Sequence, residues 1–243
     1  MDPQGKGVIV LGGASGMAKA SAELLAERGA RIAVLDRPTS AGAEVAAQLG
    51  GSFHPCDVTD ATGLEAAIDA AVRSLGGSLH VLVNTAGGGI GKRTLTKDGP
   101  HSLDEFRGVV ELNLIASFNA ARLCAAHMAR NEPEDDERGV LISTASIAAF
   151  EGQIGQVAYA AAKSGIVGMV FVMARDLGSL GIRSLAIAPS LFATGLTDGI
   201  PAEFASALTK DAAFPKRMGR SEEYGKLVVA IVENPMLNGT CIR

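Results

Sequence analysis

The amino-acid sequence predicts a doubly wound α/β fold, in which helices cover both faces of a parallel sheet of about seven strands. Short apolar runs of strand length alternate with longer stretches of helix length along the whole chain. Polar and glycine-rich segments follow the strand-like runs, where ligands bind in folds of this class. Residues 1–243 contain no repeat and no linker that would divide them, so we expect a single domain.

The predicted strands are short apolar runs, typical of parallel strands that are buried on both faces. Glycine pairs, capping residues and prolines separate them from the predicted helices. The strands are expected at 7–11, 31–36, 53–56, 79–83, 139–143 and 182–188, with a last strand at the C-terminal end around 241–243.

The predicted helices lie between these strands. Ser102 and Glu105 have the spacing of a capping box, which opens a long helix that carries Asn113. The other helices are expected directly after the first strand, at about 40–50 and 60–75, from the region of Tyr159 to about Leu180, and around 201–213 and 222–233.

A glycine-rich turn follows the first predicted strand. It contains Gly12 and Gly16, and the next helix begins there. Such a strand–turn–helix unit offers backbone N–H groups and a positive helix end to a pyrophosphate, and glycine permits close approach. Asp36 ends the second strand, where a carboxylate binds ribose hydroxyls and repels a 2′-phosphate. We therefore expect NAD; Arg37, which could favour NADP, and a turn without any ligand are the alternatives.

Ser146, Tyr159 and Lys163 are the candidate reactive residues. Tyr159 and Lys163 are four residues apart and share one face of a predicted helix. A phenol is a poor base at neutral pH, and a neighbouring ammonium is expected to lower the pKa of Tyr159. Ser146, on the preceding loop, is placed to hydrogen-bond the same substrate oxygen, although a simple loop cap would also use a serine there.

Composition narrows the partners. The net charge is −4 and no basic block occurs, which argues against a nucleic-acid partner. No leader and no apolar run of membrane-spanning length is apparent, so we expect a cytoplasmic protein without a membrane partner. The histidines match no metal-ligand spacing, so no metal is expected. Three widely spaced cysteines indicate reduced thiols: Cys56, Cys124 and Cys241.

With these motifs in order, the chain resembles the short-chain dehydrogenase/reductase family over essentially its whole length, and within it the type 2 3-hydroxyacyl-CoA dehydrogenases. The resemblance is carried by Gly12–Gly16, by Gly139–Met169 and by Ile187-Ala188-Pro189. It implies a homotetramer built through the long Asn113 and Tyr159 helices and the C-terminal strand. It also implies a catalytic tetrad of Asn113, Ser146, Tyr159 and Lys163, although Asn113 alone would also suit an ordinary polar position in a helix.

The resemblance further implies the cofactor contacts. Leu11, Ala18, Thr85 and Ser190 depart from the residues usual in the family, so they bear on the fine geometry of the cofactor site. The implied NAD-binding residues are Gly12, Ser15, Gly16, Met17, Asp36, Asp57, Val58, Thr85, Ala86, Gly87, Tyr159, Lys163, Pro189 and Phe192.

The substrate side rests on two segments. A cationic loop at about 88–101 is a candidate contact for acyl-CoA phosphates, and a solvated flexible loop is the alternative. A region at about 190–215 is a candidate apolar lid, with ordinary helix packing as the alternative. The resemblance also implies that Gln156 faces the substrate together with Ser146. The residues concerned are Lys92, Arg93 and Lys97 in the loop, and Leu191, Phe192, Leu196, Phe204 and Leu208 in the lid.

The sequence thus predicts an NAD-dependent oxidoreductase that transfers a hydride between the nicotinamide and a secondary alcohol or ketone. The resemblance favours conversion of 3-hydroxyacyl-CoA to 3-ketoacyl-CoA. A hydroxysteroid or small-ketone dehydrogenase is the alternative among enzymes. A dinucleotide-binding scaffold without turnover is the alternative outside them.

Overall fold

A seven-stranded parallel sheet organises the protein. The computed structural model describes residues 1–193, 209 and 212–243. The sheet order is β7-β6-β5-β4-β1-β2-β3, which confirms the predicted doubly wound, Rossmann-type α/β fold. The strands are β1 (Gly7–Leu11), β2 (Arg31–Asp36), β3 (Ser52–Pro55), β4 (Val81–Asn84), β5 (Gly139–Thr144), β6 (Ile182–Ile187) and β7 (Cys241–Ile242).

Helices cover both faces of this sheet. A short antiparallel pair, Leu95–Thr96 with Gly99–Pro100, lies in the loop after β4, and a parallel pair joins Phe192–Ala193 to Gly219–Arg220. The helices are α1 (Gly16–Ala26), α2 (Gly42–Gln48), α3 (Ala61–Ser74), α4 (Leu103–Val110), α5 (Ala116–Met128), α6 (Val157–Asp176) and α7 (Ser221–Glu233).

The sheet reverses its winding direction between β1 and β4. In the register, Leu11 of β1 lies opposite Leu35 of β2 and Asn84 of β4, and Asn84 lies opposite Ser143 of β5. The carboxyl ends of these four strands therefore lie side by side at one edge of the sheet. A crevice for a ligand forms outside this edge in sheets of this topology.

Two apolar clusters hold the layers together, one on each face. Helices α3, α5 and α6 pack on one face, and α1, α2 and α7 on the other. A fully buried Leu, Ile or Val side chain contributes about 1.5–3 kcal/mol. Fully or nearly fully buried examples from the two clusters are Leu64, Ile68, Met128, Leu25 and Val228.

A π-helical turn interrupts the long helix that carries Asn113. Ser102 caps its start by accepting a hydrogen bond from the Glu105 backbone N–H, as predicted. The turn, Glu111–Ile115, separates α4 from α5. Such turns contain one more residue than an α-helical turn and occur often at functional sites. Here the turn directs Asn113 to the interior, where it is fully buried.

Several predicted boundaries move by a few residues. The helix of Tyr159 ends at Asp176 rather than near Leu180, because a 3₁₀ turn follows and Gly181 adopts a φ of +67°. The predicted helix around 201–213, and the lid residues Leu196, Phe204 and Leu208, lie almost wholly outside the described residues.

Two helices reach the length and composition of a membrane span. They are Leu103–Met128 and Val157–Asp176, and charged residues interrupt both, so neither is an unbroken apolar run. Within this fold, 56% and 44% of their apolar windows are buried, much of it against the sheet. Core helices of an α/β domain have the same properties.

Candidate active site

The glycine turn after β1 packs tightly against the end of β4. Gly12 and Gly16 have φ values of +79° and +55°, which favour glycine. A Cβ atom on Gly12 would lie 2.9 Å from Thr85 Oγ1 and 3.0 Å from the Ala86 nitrogen. A side chain there would therefore strain the turn and press on the neighbouring strand end.

The start of α1 leaves its positive end available to an anion. Ser15 is the N-cap in extended conformation, but its side chain makes no capping hydrogen bond, and the first turn contains no acidic residue. A phosphate would satisfy these N–H groups and the helix dipole. Ala18, one of the departures from the family pattern, is fully buried, so its methyl group is absorbed by packing.

Asp36 connects the end of β2 to the same turn. Its Oδ2 accepts a hydrogen bond from the Ala14 N–H at 3.0 Å, and its Oδ1 accepts one from the Arg37 N–H at 2.7 Å. Each carboxylate oxygen retains a lone pair for a further donor. Asp36 therefore presents free carboxylate lone pairs beside the glycine turn.

Asp57 and Val58 follow β3 at the next position along this edge. Asp57 Oδ1 accepts hydrogen bonds from the Thr59 N–H and hydroxyl at 2.9 and 2.7 Å. These bonds, with a smaller effect of the Arg37 charge, lower the pKa of Asp57. Val58 lines a cavity of about 200 Å³ between this loop and the Asn113 helix.

The other predicted cofactor residues lie along the same edge. The Thr85 N–H donates to the Leu11 carbonyl at 3.0 Å, and the Ala86 N–H donates to Asn84 Oδ1 at 3.1 Å. The Pro189 carbonyl, after β6, accepts from the Ile147 N–H at 3.0 Å. Together with the glycine turn and Asp36, this line of residues fits an extended dinucleotide.

Ser146 and Tyr159 meet beyond the end of β5. The Ser146 hydroxyl accepts a hydrogen bond from the Ala148 N–H at 3.1 Å and caps a 3₁₀ turn, so the loop-cap interpretation also holds. It also lies close enough to Tyr159 to oppose the rise in the pKa of that phenol. The substrate-side loop adjoins this phenol: a Cβ atom on Gly89 would lie 3.0 Å from Tyr159 Cδ2.

Lys163 lies in the interior, with 3% of its surface exposed. Its Nζ donates to the Thr144 carbonyl at 2.8 Å and lies 5.5 Å from the centroid of the Tyr159 ring. Burial lowers the pKa of Lys163 to about 8, because the charged form loses its hydration. Helix spacing therefore does bring the two side chains together.

One electrostatic prediction is wrong for this structure. Burial raises the pKa of Tyr159, and only the Ser146 hydrogen bond opposes that rise. The Lys163 ammonium donates to the Thr144 carbonyl and not to the phenol, so its charge does not offset the effect of burial on the Tyr159 pKa. The side chain is consequently a proton donor in its resting form.

Asn113 completes the group. Its Nδ2 donates to the carbonyls of Gly88 and Val109 at 2.6 and 2.8 Å, and its Oδ1 accepts from the Gly88 N–H at 3.1 Å. A Cβ atom on Gly87 would lie 2.6 Å from Asn113 Oδ1 and 3.3 Å from Lys163 Nζ. Asn113 is thus a satisfied buried amide and also a neighbour of Lys163.

The sequence reasoning missed Thr144 and Ser117 as supporting residues of this group. Thr144 provides the carbonyl that holds Lys163, and its hydroxyl donates to the Asn84 carbonyl at 2.7 Å. Asn84 Nδ2 in turn donates to Ser117 Oγ at 3.1 Å, and Ser117 donates to the Asn113 carbonyl. Polar side chains at the ends of otherwise apolar strands were the available indication.

A cavity of about 340 Å³ lies between the loop after β4 and the segment that leads into α6; its lining includes Val157 and Ala160 but not Tyr159. The predicted cationic loop forms one wall, because the Lys92 N–H donates to the Gly155 carbonyl at 2.8 Å. The Lys92 ammonium pairs with Glu105 at 2.6 Å. Arg93, Gln153 and Gln156 also line this cavity.

Metal chemistry gains no support from side-chain clusters. Within residues 1–193, 209 and 212–243, no group of three or more His, Cys, Asp or Glu residues could hold a metal ion. The three cysteines are free; Cys56 and Cys124 are buried and Cys241 is partly so.

Comparisons with known proteins agree with this geometry. The family model for short chain dehydrogenases matches residues 6–209. Human 3-hydroxyacyl-CoA dehydrogenase type-2 is 45% identical over 97% of this chain and 92% of its own length, and the Drosophila melanogaster protein of that name is 45% identical over 97% and 94%. The crystal structure of 3-hydroxyacyl-CoA dehydrogenase type-2 from Mycobacterium avium superposes with a TM-score of 0.93 at 37% identity, covering 98% of this chain and 94% of that one.

These matches cover nearly the whole chain and confirm the resemblance inferred from the sequence. They also support a nicotinamide dinucleotide as cofactor and a small molecule as substrate. The chain belongs to the short-chain dehydrogenase family of oxidoreductases.

Proposed function

We propose that the protein is an NAD-dependent dehydrogenase that interconverts 3-hydroxyacyl-CoA and 3-ketoacyl-CoA. The observation that carries this proposal is the convergence of Ser146, Tyr159 and Lys163 at the sheet edge that also holds the glycine turn. The names of the similar human and Drosophila melanogaster proteins support the acyl-CoA substrate. A steroid or small ketone is the second candidate, because the cavity between the loop after β4 and the segment that leads into α6 also has apolar walls, including Ile154 and Val157.

The chain supplies the proton and the electrostatics of the reaction. The nicotinamide supplies the hydride for reduction and accepts it for oxidation. In reduction, Tyr159 donates its proton to the substrate oxygen, and the Ser146 hydroxyl donates a hydrogen bond that stabilises the developing charge. Lys163 contributes a fixed positive charge in a low-dielectric interior, where it stabilises the phenolate left on Tyr159. Asn113 holds the backbone of Gly88 beside this group.

Asp36 supports NAD over NADP. Its carboxylate is fixed by two backbone N–H groups and would repel a 2′-phosphate. Arg37, the residue that could favour the phosphate, also contributes to the lowered pKa of Asp57. Two carboxylates, those of Asp36 and Asp57, therefore lie near this single guanidinium.

Arg93 supports a substrate that carries phosphates. Lys92 already pairs with Glu105, whereas Arg93 lines the cavity and forms no ion pair within 4.0 Å across the described residues. A guanidinium suits the bidentate recognition of phosphate. Arg93 is thus the better candidate of the two for the coenzyme A moiety.

We further propose a homotetramer built through the long Asn113 and Tyr159 helices. Large apolar side chains remain exposed on both: Ile115 and Phe118 on one, and Phe171 and Val172 on the other. Exposed apolar patches of this kind commonly mark contacts between proteins.

Replacing Tyr159 by phenylalanine tests the proposed reaction. Tyr159→Phe should lower kcat for acetoacetyl-CoA reduction by about 10²- to 10⁴-fold, because the proton donor is lost while the ring remains. Initial rates follow from the loss of NADH absorbance. Ser164→Ala is the matched control. It removes a hydroxyl from the same helix, whose one side-chain bond across the described residues is to the Ala149 carbonyl, and it should turn over like wild type. A Tyr159→Phe enzyme with unchanged kcat would rule out this mechanism.

The pH dependence follows from Lys163. Its pKa is about 8, so the ammonium is present below that pH and lost above it. The raised pKa of Tyr159 keeps the phenol protonated through the same range. The rate of ketone reduction should therefore be constant below about pH 8 and fall above it, whereas alcohol oxidation, which needs the phenolate, should rise with pH. Initial rates in both directions check this; a reduction rate that climbs through this range would contradict it.

Neutralising Asp36 should weaken the preference for NAD. Asp36→Asn should reduce the affinity ratio of NADH to NADPH by roughly 10- to 100-fold, because a charged acceptor and a repulsion are both removed. Fluorescence titration with each dinucleotide measures the ratio. Arg37→Ala is the companion variant and should change the ratio little. A ratio unaffected by Asp36→Asn would mean that another residue reads the ribose.

Removing Arg93 should separate the acyl-CoA substrate from simpler ketones. Arg93→Ala should raise KM for acetoacetyl-CoA by roughly 10-fold, while KM for an uncharged ketone stays unchanged. Lys97→Ala, in the same loop, serves as the control for a general loss of positive charge. Equal effects of Arg93→Ala on both substrates would favour the steroid or small-ketone alternative.

A further inference from the structure

Tyr224 of α7 reaches the active site from the opposite side of the strand that delivers Ser146. Its side chain is 1% exposed and is among the largest that are fully buried in the described part of the chain. Its hydroxyl lies 2.7 Å from Thr144 Oγ1. Its ring packs edge-on against Phe192, with centroids 6.4 Å apart. A buried hydroxyl needs a partner, and here the partner belongs to the active site.

The hydrogen bonds around Thr144 have a single consistent direction. Thr144 has one hydroxyl hydrogen, and the Asn84 carbonyl, which can only accept, lies 2.7 Å from Oγ1. Thr144 therefore donates to Asn84 and accepts from Tyr224. Burial raises the pKa of Tyr224, so its hydroxyl keeps the proton that this arrangement requires.

Thr144 is thereby fixed at the point where it holds Lys163. Its carbonyl accepts the hydrogen bond from Lys163 Nζ at 2.8 Å. Thr144 ends β5 and precedes Ser146 by two residues. A shift of this strand end would consequently displace both the ammonium and the serine.

We propose that Tyr224 is a positioning residue for the proposed reaction: through Thr144 it fixes the carbonyl that holds the Lys163 ammonium. Tyr224 touches none of the reacting atoms in this arrangement. Its effect passes through two hydrogen bonds, and the inference rests on the proposed function of Lys163.

The surroundings of Lys163 make this carbonyl its principal anchor. Tyr159 on the same helix is a titratable neighbour, and Asn113 and the Gly87 backbone, across from it, are uncharged. Tyr224, the titratable group behind Thr144, is neutral. Across the described residues, Lys163 forms no ion pair within 4.0 Å. Loosening the Thr144 carbonyl should therefore favour the neutral amine.

Tyr224→Phe tests the proposal, because it keeps the ring against Phe192 and removes only the hydroxyl. With NADH and acetoacetyl-CoA, kcat should fall roughly 10-fold with little change in KM. The Lys163 titration midpoint should fall by about half a unit or more. This midpoint is read by NMR of lysine labelled with ¹³C at Cε, in the protein saturated with NADH, and the resonance is assigned by its absence in Lys163→Arg.

Variants of Thr144 close the test. Thr144→Val should reproduce both effects of Tyr224→Phe, and the double variant should be no worse than Thr144→Val alone, because both changes break the same link. Thr144→Ser, which keeps the hydroxyl, should restore kcat and the midpoint. Additive losses in the double variant would overturn the proposal.

Val229→Ala is the matched control for lost packing. Val229 is buried on the same helix, 3% exposed, so this variant should lower the thermal midpoint without changing kcat or the Lys163 titration. If Tyr224→Phe behaves in the same way, Tyr224 is only structural and the proposal fails. If the wild type reduces no ketone, the proposed function fails separately. The Lys163 midpoint then decides alone: a shift in Tyr224→Phe supports the positioning role, and no shift overturns it.

Discussion

The candidate active site depends on one buried charge and the carbonyl that holds it. Lys163 is taken almost fully out of water, and the Thr144 carbonyl at 2.8 Å replaces part of its hydration. Burial of a charge without such a partner costs several kcal/mol. The elements around it serve this arrangement: β5 supplies the carbonyl, α6 supplies the lysine, and the π-helical turn supplies the neutral amide of Asn113.

The same arrangement explains why the fold is suited to the chemistry. The carboxyl ends of the central strands lie at one edge of the sheet, so the glycine turn after β1, the Asp36 carboxylate at β2 and the Tyr159 phenol beyond β5 share that edge. Each group comes from a different segment of the chain. The rigid parallel sheet, buried on both faces, keeps their separations constant.

The sequence was sufficient for the fold class and for the four side chains that meet beyond β5: Asn113, Ser146, Tyr159 and Lys163. Apolar runs identified the strands that precede β7, and the spacing of Tyr159 and Lys163 identified their common helix face. The sequence could not reveal that the ammonium would choose the Thr144 carbonyl over the phenol. That choice depends on which acceptor lies next to Lys163 after folding. The Thr144 carbonyl belongs to β5, outside the helix that carries Lys163, so the periodicity of that helix does not indicate it. Thr144, Ser117 and Tyr224 were missed for the same reason: buried hydroxyls have no periodicity of their own.

The π-helical turn at Glu111–Ile115 has a consequence for the two halves of its helix. A π-helical turn contains one residue more than a regular α-helical turn. The side chains of the helix after it are therefore rotated by about 100° around the helix axis. Helices α4 and α5 can therefore turn their apolar faces toward different neighbouring elements while they remain one continuous helix. Asn113 lies at the phase change, and its amide bonds the Gly88 and Val109 backbone in the interior.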